Sequence, residues 1–75
     1  MSELSKEAAS QIAVDFLKKR KNTERIDVAM VEQREDGWVV SGICPIDFGD
    51  HQWPEKFSVV VDSKGRIKST DFGLL

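Results

Sequence analysis

One short segment, Cys44-Pro45-Ile46-Asp47-Phe48-Gly49-Asp50-His51-Gln52-Trp53-Pro54, holds the chain's only cysteine, its only histidine, two aspartates and two aromatics. Function concentrates on loops held by rigid elements, so the segment is read first for chemistry. A nucleophilic pair would need a Cys44 thiolate activated by His51, with an aspartate to orient the imidazole. The spacing allows contact across a loop. No oxyanion hole can be read, however, and the competing reading is a small buried cysteine beside a solvated histidine, so no catalytic residue is assigned. Asp47, Asp50 and His51 form a mixed oxygen and nitrogen set that suits zinc or manganese. Asp and Gly at such spacing equally make Asx turns, and no metal or cofactor is assigned. Phe48 and Trp53, with His51 between them, form either an aromatic recognition patch or a plug over the end of a small core.

A second set is basic: Lys18, Lys19, Arg20 and Lys21, with Arg25. Such a cluster can meet phosphate, or it can complement the negative end of a helix. The chain carries 11 basic and 13 acidic residues, a net charge of −2. A nucleic-acid binder usually shows a basic excess, so nucleic acid is not the expected partner.

The elements that position these residues can be read from periodicity. Apolar residues fall at Ala8/Ala9, Ile12/Ala13 and Phe16/Leu17, four apart each time, which is one narrow helical stripe. Ser5 is a good N-cap, Leu4 can pack back as a staple, and Glu7 suits the first turn. The basic run closes the last turn, and Asn22 is a left-handed stop. Thereafter Ile26, Val28 and Met30 alternate with Asp27, Ala29 and Val31. A glycine hairpin, Arg34 to Trp38, leads into a strand from Trp38 to Cys44. Pro45 is expected to end that strand, because proline cannot continue a central ladder, leaving 45–54 as a loop. Lys56 to Asp62 is a third strand, Asp62 to Arg66 a second glycine hairpin, and Ile67 to about Asp71 a short fourth strand.

Both hairpins can be built with three-residue loops ending in glycine. That register puts Arg34 opposite Trp38, Glu32 opposite Val40, Met30 opposite Gly42 and Val61 opposite Ile67. A two-residue Asp36-Gly37 turn would give strand two the opposite parity. With the three-residue loops, Ile26, Val28, Met30, Trp38, Val40, Phe57, Val59, Val61 and Ile67 face the helix. Ala29, Val31, Val39, Ile43 and Val60 collect on the other face, and Phe72, Leu74 and Leu75 add apolar surface at the tail. The expected fold is α+β: one N-terminal helix packed on a four-stranded antiparallel meander, α-β-β-β-β, in a single domain over 1–75.

These residues resemble the PepSY domain. The shared pattern is Ser5-Lys6-Glu7-Ala8-Ala9, Ala13 and Phe16-Leu17, then Glu35-Asp36-Gly37-Trp38-Val39-Val40, and finally Phe57 through Ile67 with its Asp-x-x-Gly turn. The resemblance covers roughly residues 5–69. It implies a small binding or inhibitory module, often attached to peptidases and sensors and often extracytoplasmic, with no catalytic residues to carry over. Against that pattern, this chain is expected to stand alone and to lack an export signal, two departures from the family.

Size sets a further expectation. A 75-residue chain buries only about 60% of its unfolded surface, and a core this small rarely supplies more than ~3–5 kcal/mol net. One cysteine makes no internal disulfide, and Cys44 with His51 cannot complete a four-ligand zinc site. A partner subunit is the remaining support. An apolar second face usually marks a contact surface, so Val31, Val39, Ile43 and Val60 join Phe48, His51 and Trp53 as candidate binding residues. The expected partner is a protein, a peptide or a second copy, met by strand addition or a sheet-face contact. The longest uncharged run, Gly37 to Ile46, is too short for a membrane span, and the N-terminus does not read as a signal peptide. With one free thiol, a reducing cytoplasm is the expected location.

Overall fold

The structure is a computed structural model that describes residues 4–21, 23, 25–35, 37–48 and 51–74, with the side chains of 45–48, 51–53 and 74 outside the description. It contains α1 (Lys6–Lys21), β1 (Asp27–Arg34), β2 (Gly37–Phe48), β3 (His51–Asp62) and β4 (Ile67–Leu74). The strands form one antiparallel sheet in the order β1-β2-β3-β4, and the helix lies on one face. This is the α+β arrangement expected.

The helix forms where its stripe and its cap agree. Ser5 Oγ accepts from the Ala8 N–H at 3.1 Å, and the Ser5 carbonyl accepts from the Ala9 N–H at 2.9 Å. Ala9, Ala13 and Leu17 are fully buried. Small residues at two of these three points let the helix lie close to the sheet. Ile12, Phe16 and Leu4 pack beside the core, and Trp38 Nε1 donates to the Leu4 carbonyl at 2.9 Å. That bond ties the start of α1 to the start of β2. Asn22, the expected helix stop, lies outside the described residues. The chain leaves the helix with the Thr23 N–H donating to the Lys18 carbonyl at 3.3 Å.

The sheet contributes Val40, Cys44, Phe57, Val59 and Val61 to the core. Its register departs from expectation at the first hairpin. Arg34 pairs with Gly37 rather than with Trp38, and Glu32 faces Val39 rather than Val40. A Cβ on Gly37 would overlap the Val61 carbonyl oxygen, which is why glycine stands at the first position of β2. Farther along, Met30 pairs with Ser41 and Val28 with Gly42, leaving Ala29 as the extra residue of a bulge. The bulge resets the alternation of β1. Val28 and Ile26 pack on the core as expected, but so does Val31, which had been placed on the second face. Met30, expected in the core, is 53% exposed. Gly42 makes the bulge possible: a Cβ there would overlap the Asp27 carbonyl oxygen and lie 2.9 Å from the Phe57 ring.

The second hairpin keeps its expected register, with Val61 opposite Ile67. Asp62 organises it. Its carboxylate accepts from the N–H groups of Lys64 and Arg66, both at 2.9 Å, and its carbonyl accepts from Gly65 N–H at 3.0 Å. The Arg66 N–H first, with that of Lys64 and the Arg66 and Lys68 cations, holds the Asp62 carboxyl below the usual carboxylate range. Gly65 has φ +85°, the left-handed value that a third loop position requires. Beyond the turn, β4 runs to Leu74 rather than stopping near Asp71. Phe72 pairs with Phe57 and packs against the core, so this part of the tail is not free apolar surface. Leu75 lies outside the described residues.

Candidate functional site

The segment from 45 to 54 is not a loop. β2 continues through Pro45 to Phe48, β3 begins at His51, and the ladder between them runs unbroken: Cys44 with Glu55, Pro45 with Pro54, Ile46 with Trp53, Asp47 with Gln52, Phe48 with His51. The expectation that Pro45 ends the strand fails for a positional reason. β1 begins opposite Ile43 and β4 ends opposite Glu55. Past those points β2 and β3 have no outer neighbours among the described residues, and proline is tolerated on a strand whose N–H side faces no partner. An opposed proline pair keeps the ladder continuous when it is a non-hydrogen-bonded pair, whose N–H groups point outward. The result is a two-stranded arm that extends the Cα trace to 48 Å along its longest axis, against 19 and 17 Å across.

At the base of this arm stands a polar cluster inside the apolar layer. Glu55 is 8% exposed, the one buried charged residue described. The ladder requires this: Glu55 shares the inward parity of Phe57, Val59 and Val61. Its carboxylate meets Lys21 Nζ at 2.7 Å and accepts a weak hydrogen bond from the Cys44 thiol at 3.8 Å. Lys21 Nζ also lies 4.1 Å from the Phe72 ring centroid, and Arg20 Cζ lies 5.6 Å from the same ring and 6.0 Å from that of Phe16. A cation over an aromatic face and beside a carboxylate is doubly compensated for its lost water. One cluster thus joins the end of α1, the end of β4 and the root of the arm.

This geometry decides several of the sequence candidates. Cys44 is fully buried. Burial first, then the neighbouring Glu55 charge, pushes its thiol above the ordinary range, with Lys21 pulling the other way. A raised thiol is a poor nucleophile. His51 pairs with Phe48, four ladder steps from Cys44, or roughly 13 Å along the ribbon. The spacing that allowed contact across a loop is therefore stretched along a strand, and the thiol's polar neighbour is Glu55. The side chains of Phe48, His51, Trp53 and Asp47, and all of Asp50, lie outside the described residues, as does the metal reading built on them. Among the described residues no three His, Cys, Asp or Glu side chains cluster to hold a metal.

The basic run divides. Lys18, Lys19 and Arg25 are exposed, while Arg20 leans over Phe16 and Phe72 and Lys21 pairs with Glu55. On the open face, Val39 and Val60 oppose each other, and Ile43 is 38% exposed. Val31 is absent from that face and Met30 takes its place. Ser41, Ser58 and Lys56 interrupt the patch, and Arg34, Val39, Val60 and Ser69 line a shallow depression of about 600 Å³.

Glu55, Phe72 and Met30 were not among the expected site residues. Glu55 was within reach, because counting back in twos from Val61 and Phe57 arrives at it. Phe72 and Met30 depended on bulges that the sequence does not announce. No family model, curated protein or solved structure matches the chain. Among the described residues no helix is long and apolar enough to cross a membrane.

Proposed function

We propose that this chain is a non-enzymatic binding module that presents the β2–β3 arm to a protein partner. The observation that carries this reading is the ribbon from Pro45 to Pro54, which runs beyond both edge strands. A two-stranded ribbon is marginal in water on its own. Yet its paired positions hold Ile46 opposite Trp53 and Phe48 opposite His51, residue types that anchor interfaces. The ladder's alternation gives these four positions the parity of Cys44 and Glu55. The arm's root is fixed by the Lys21–Glu55 pair, so the ribbon starts from a rigid point.

The open-face residues Val39, Ile43 and Val60 form a secondary patch in this reading. The PepSY-like layout, a helix followed by a four-stranded meander, agrees with a binding role, and we keep that kinship as part of the proposal. A single buried thiol suits a reducing cytoplasm.

The test is site-specific crosslinking. A photoreactive residue at position 48, in the arm, is compared with one at position 11, exposed on α1, in cells making the chain. Protein adducts from position 48 and none from position 11 are expected. Equal yields from both positions, or none from 48, would overturn the reading.

A further inference from the structure

We infer that the open face of the sheet is covered by a second copy of this chain, packed face to face about a two-fold axis that crosses the strands. The inference goes beyond the arm and does not rest on it. Among the described residues, the large hydrophobic side chains left exposed are Met30 and Ile43. The ladder puts both on the face turned away from α1, because their neighbours in the register alternate with Val40, Val59 and Phe57. Four rows of side chains cross this face from β1 to β4. The first holds Arg34, Gly37 and Asp62, and the fourth holds Asp27, Ile43 and Lys56. Glu32 stands in the second row, and Met30 and Asp71 stand in the third. Lys68 is the extra residue between Ile67 and Ser69, and with Arg34, Gly37 and Val39 it lines the shallow depression over the first two rows.

Charge and shape select the occupant. A two-fold axis lying between the second and third rows sets each strand over its own copy, reversed. The first row of one copy then lies over the fourth row of the other. Arg34 meets the second copy's Asp27, Asp62 meets its Lys56, and Lys68 meets its Asp71. Each contact occurs twice, as an isologous interface requires. Glu32 falls over Met30 and stays beside its own Arg34, at 3.1 Å. Shape follows the same axis, because the exposed Ile43 falls over Gly37, whose missing side chain leaves the depression open. A two-fold axis along the strands would instead lay β1 over β4 and bring Arg34 onto Lys68. Packed sheets stand about 10 Å apart with their strands turned by about 30°, a gap and an offset that lysine and arginine side chains span. Four strands of about eight residues make a face of roughly 19 by 27 Å, which suits a weak, reversible contact. The two arms leave such a dimer at opposite ends.

Sedimentation equilibrium tests this with a charge swap along one strand. Arg34 and Asp27 are the two ends of β1, about 20 Å apart, so they cannot touch within one copy. The full chain is expected to dimerise in the micromolar range. Arg34→Asp alone and Asp27→Arg alone are each expected to weaken association about tenfold, since each sets like charges together at both symmetric contacts. The double variant carrying both changes keeps the full chain's net charge and is expected to recover association. Far-ultraviolet dichroism and urea unfolding check that each variant folds. Lys68→Asp with Asp71→Lys repeats the swap on β4, away from the first hairpin, with the same expected loss and recovery. A full chain that stays monomeric overturns the inference, as do single variants that associate unchanged or double variants that stay weak. Protein adducts from position 48 leave the reading of the arm standing in either case, because the arm takes no part in this contact.

Discussion

Lys21 and Glu55 meet at 2.7 Å at the point where the helix ends and the arm leaves the sheet. Neither residue is interchangeable with a neutral one at this position. Removing the lysine leaves a carboxylate inside the apolar layer with only a thiol for company. A buried charge without its partner costs about 1–3 kcal/mol and can cost more. Lys21→Ala is therefore expected to lower stability by that amount in urea unfolding. The double change Lys21→Met with Glu55→Met is expected to recover most of it, because two apolar side chains leave no orphaned charge. A double variant less stable than Lys21→Ala would show that the pair itself is what holds the layer.

Cys44 gives the cluster a pH signature. Its folded thiol is raised above the ordinary value of 9.0, by burial first and by Glu55 second. The unfolded thiol ionises more readily, so the native state binds the proton more tightly at high pH. Stability from this group is then full below the unfolded value and declines as pH rises above it. Unfolding measured from pH 7 to 10 is expected to show this decline, and Cys44→Ala to flatten it. A thiol-reactive dye is expected to label the native chain far more slowly than the urea-unfolded chain at pH 8.

Two glycines test the bulge. Gly42→Ala forces a methyl group into the Asp27 carbonyl and the Phe57 ring, so either the bulge or the core must shift. A loss of about 2 kcal/mol or more is expected, the size of an overpacked core site. Gly73→Ala meets only the flexible Lys56 chain, at 3.3 Å. It is expected to cost under about 0.5 kcal/mol, as surface changes do. Thermal unfolding of the pair gives the contrast directly.

The arm's ladder makes its own pattern. If Pro45 and Pro54 form a non-hydrogen-bonded pair, Ile46 and Trp53 form the next hydrogen-bonded one, and Asp47 with Gln52 does not bond. Amide exchange is expected to be slow at Ile46 and Trp53 and fast at Asp47 and Gln52. Uniformly fast exchange across all four would mean that the ribbon is not formed.

Much of the fold was legible because local signals agreed with one another. Ser5 as cap, the Ala9-Ala13-Leu17 stripe, the Asp62 to Gly65 turn and the alternation of Phe57, Val59 and Val61 all point the same way. The departures have a common cause. Ladder register depends on bulges, and a bulge at Ala29 is set by the room above Gly42, a tertiary fact. Shifting β1 by one residue moved Val31 in and Met30 out. Pro45 misled for a related reason: its rule holds for central strands, and whether a strand is central depends on where its neighbours end. The candidate site was half visible. Its aromatic positions and its cysteine stood out by type, whereas Glu55 looked like an ordinary surface charge until parity placed it inside.

The central claim is that the arm is the binding element, and shortening it tests that claim most directly. Replacing residues 45–54 with Asn-Gly joins Cys44 to Glu55 through a two-residue hairpin, the loop such a pair accepts, and leaves Trp38 as the sole tryptophan to report folding. Retention of protein partners by the immobilised variant beside the immobilised full chain is the measurement. The account predicts a folded variant that has lost the partners the full chain retains. A folded variant that retains them as the full chain does would contradict it.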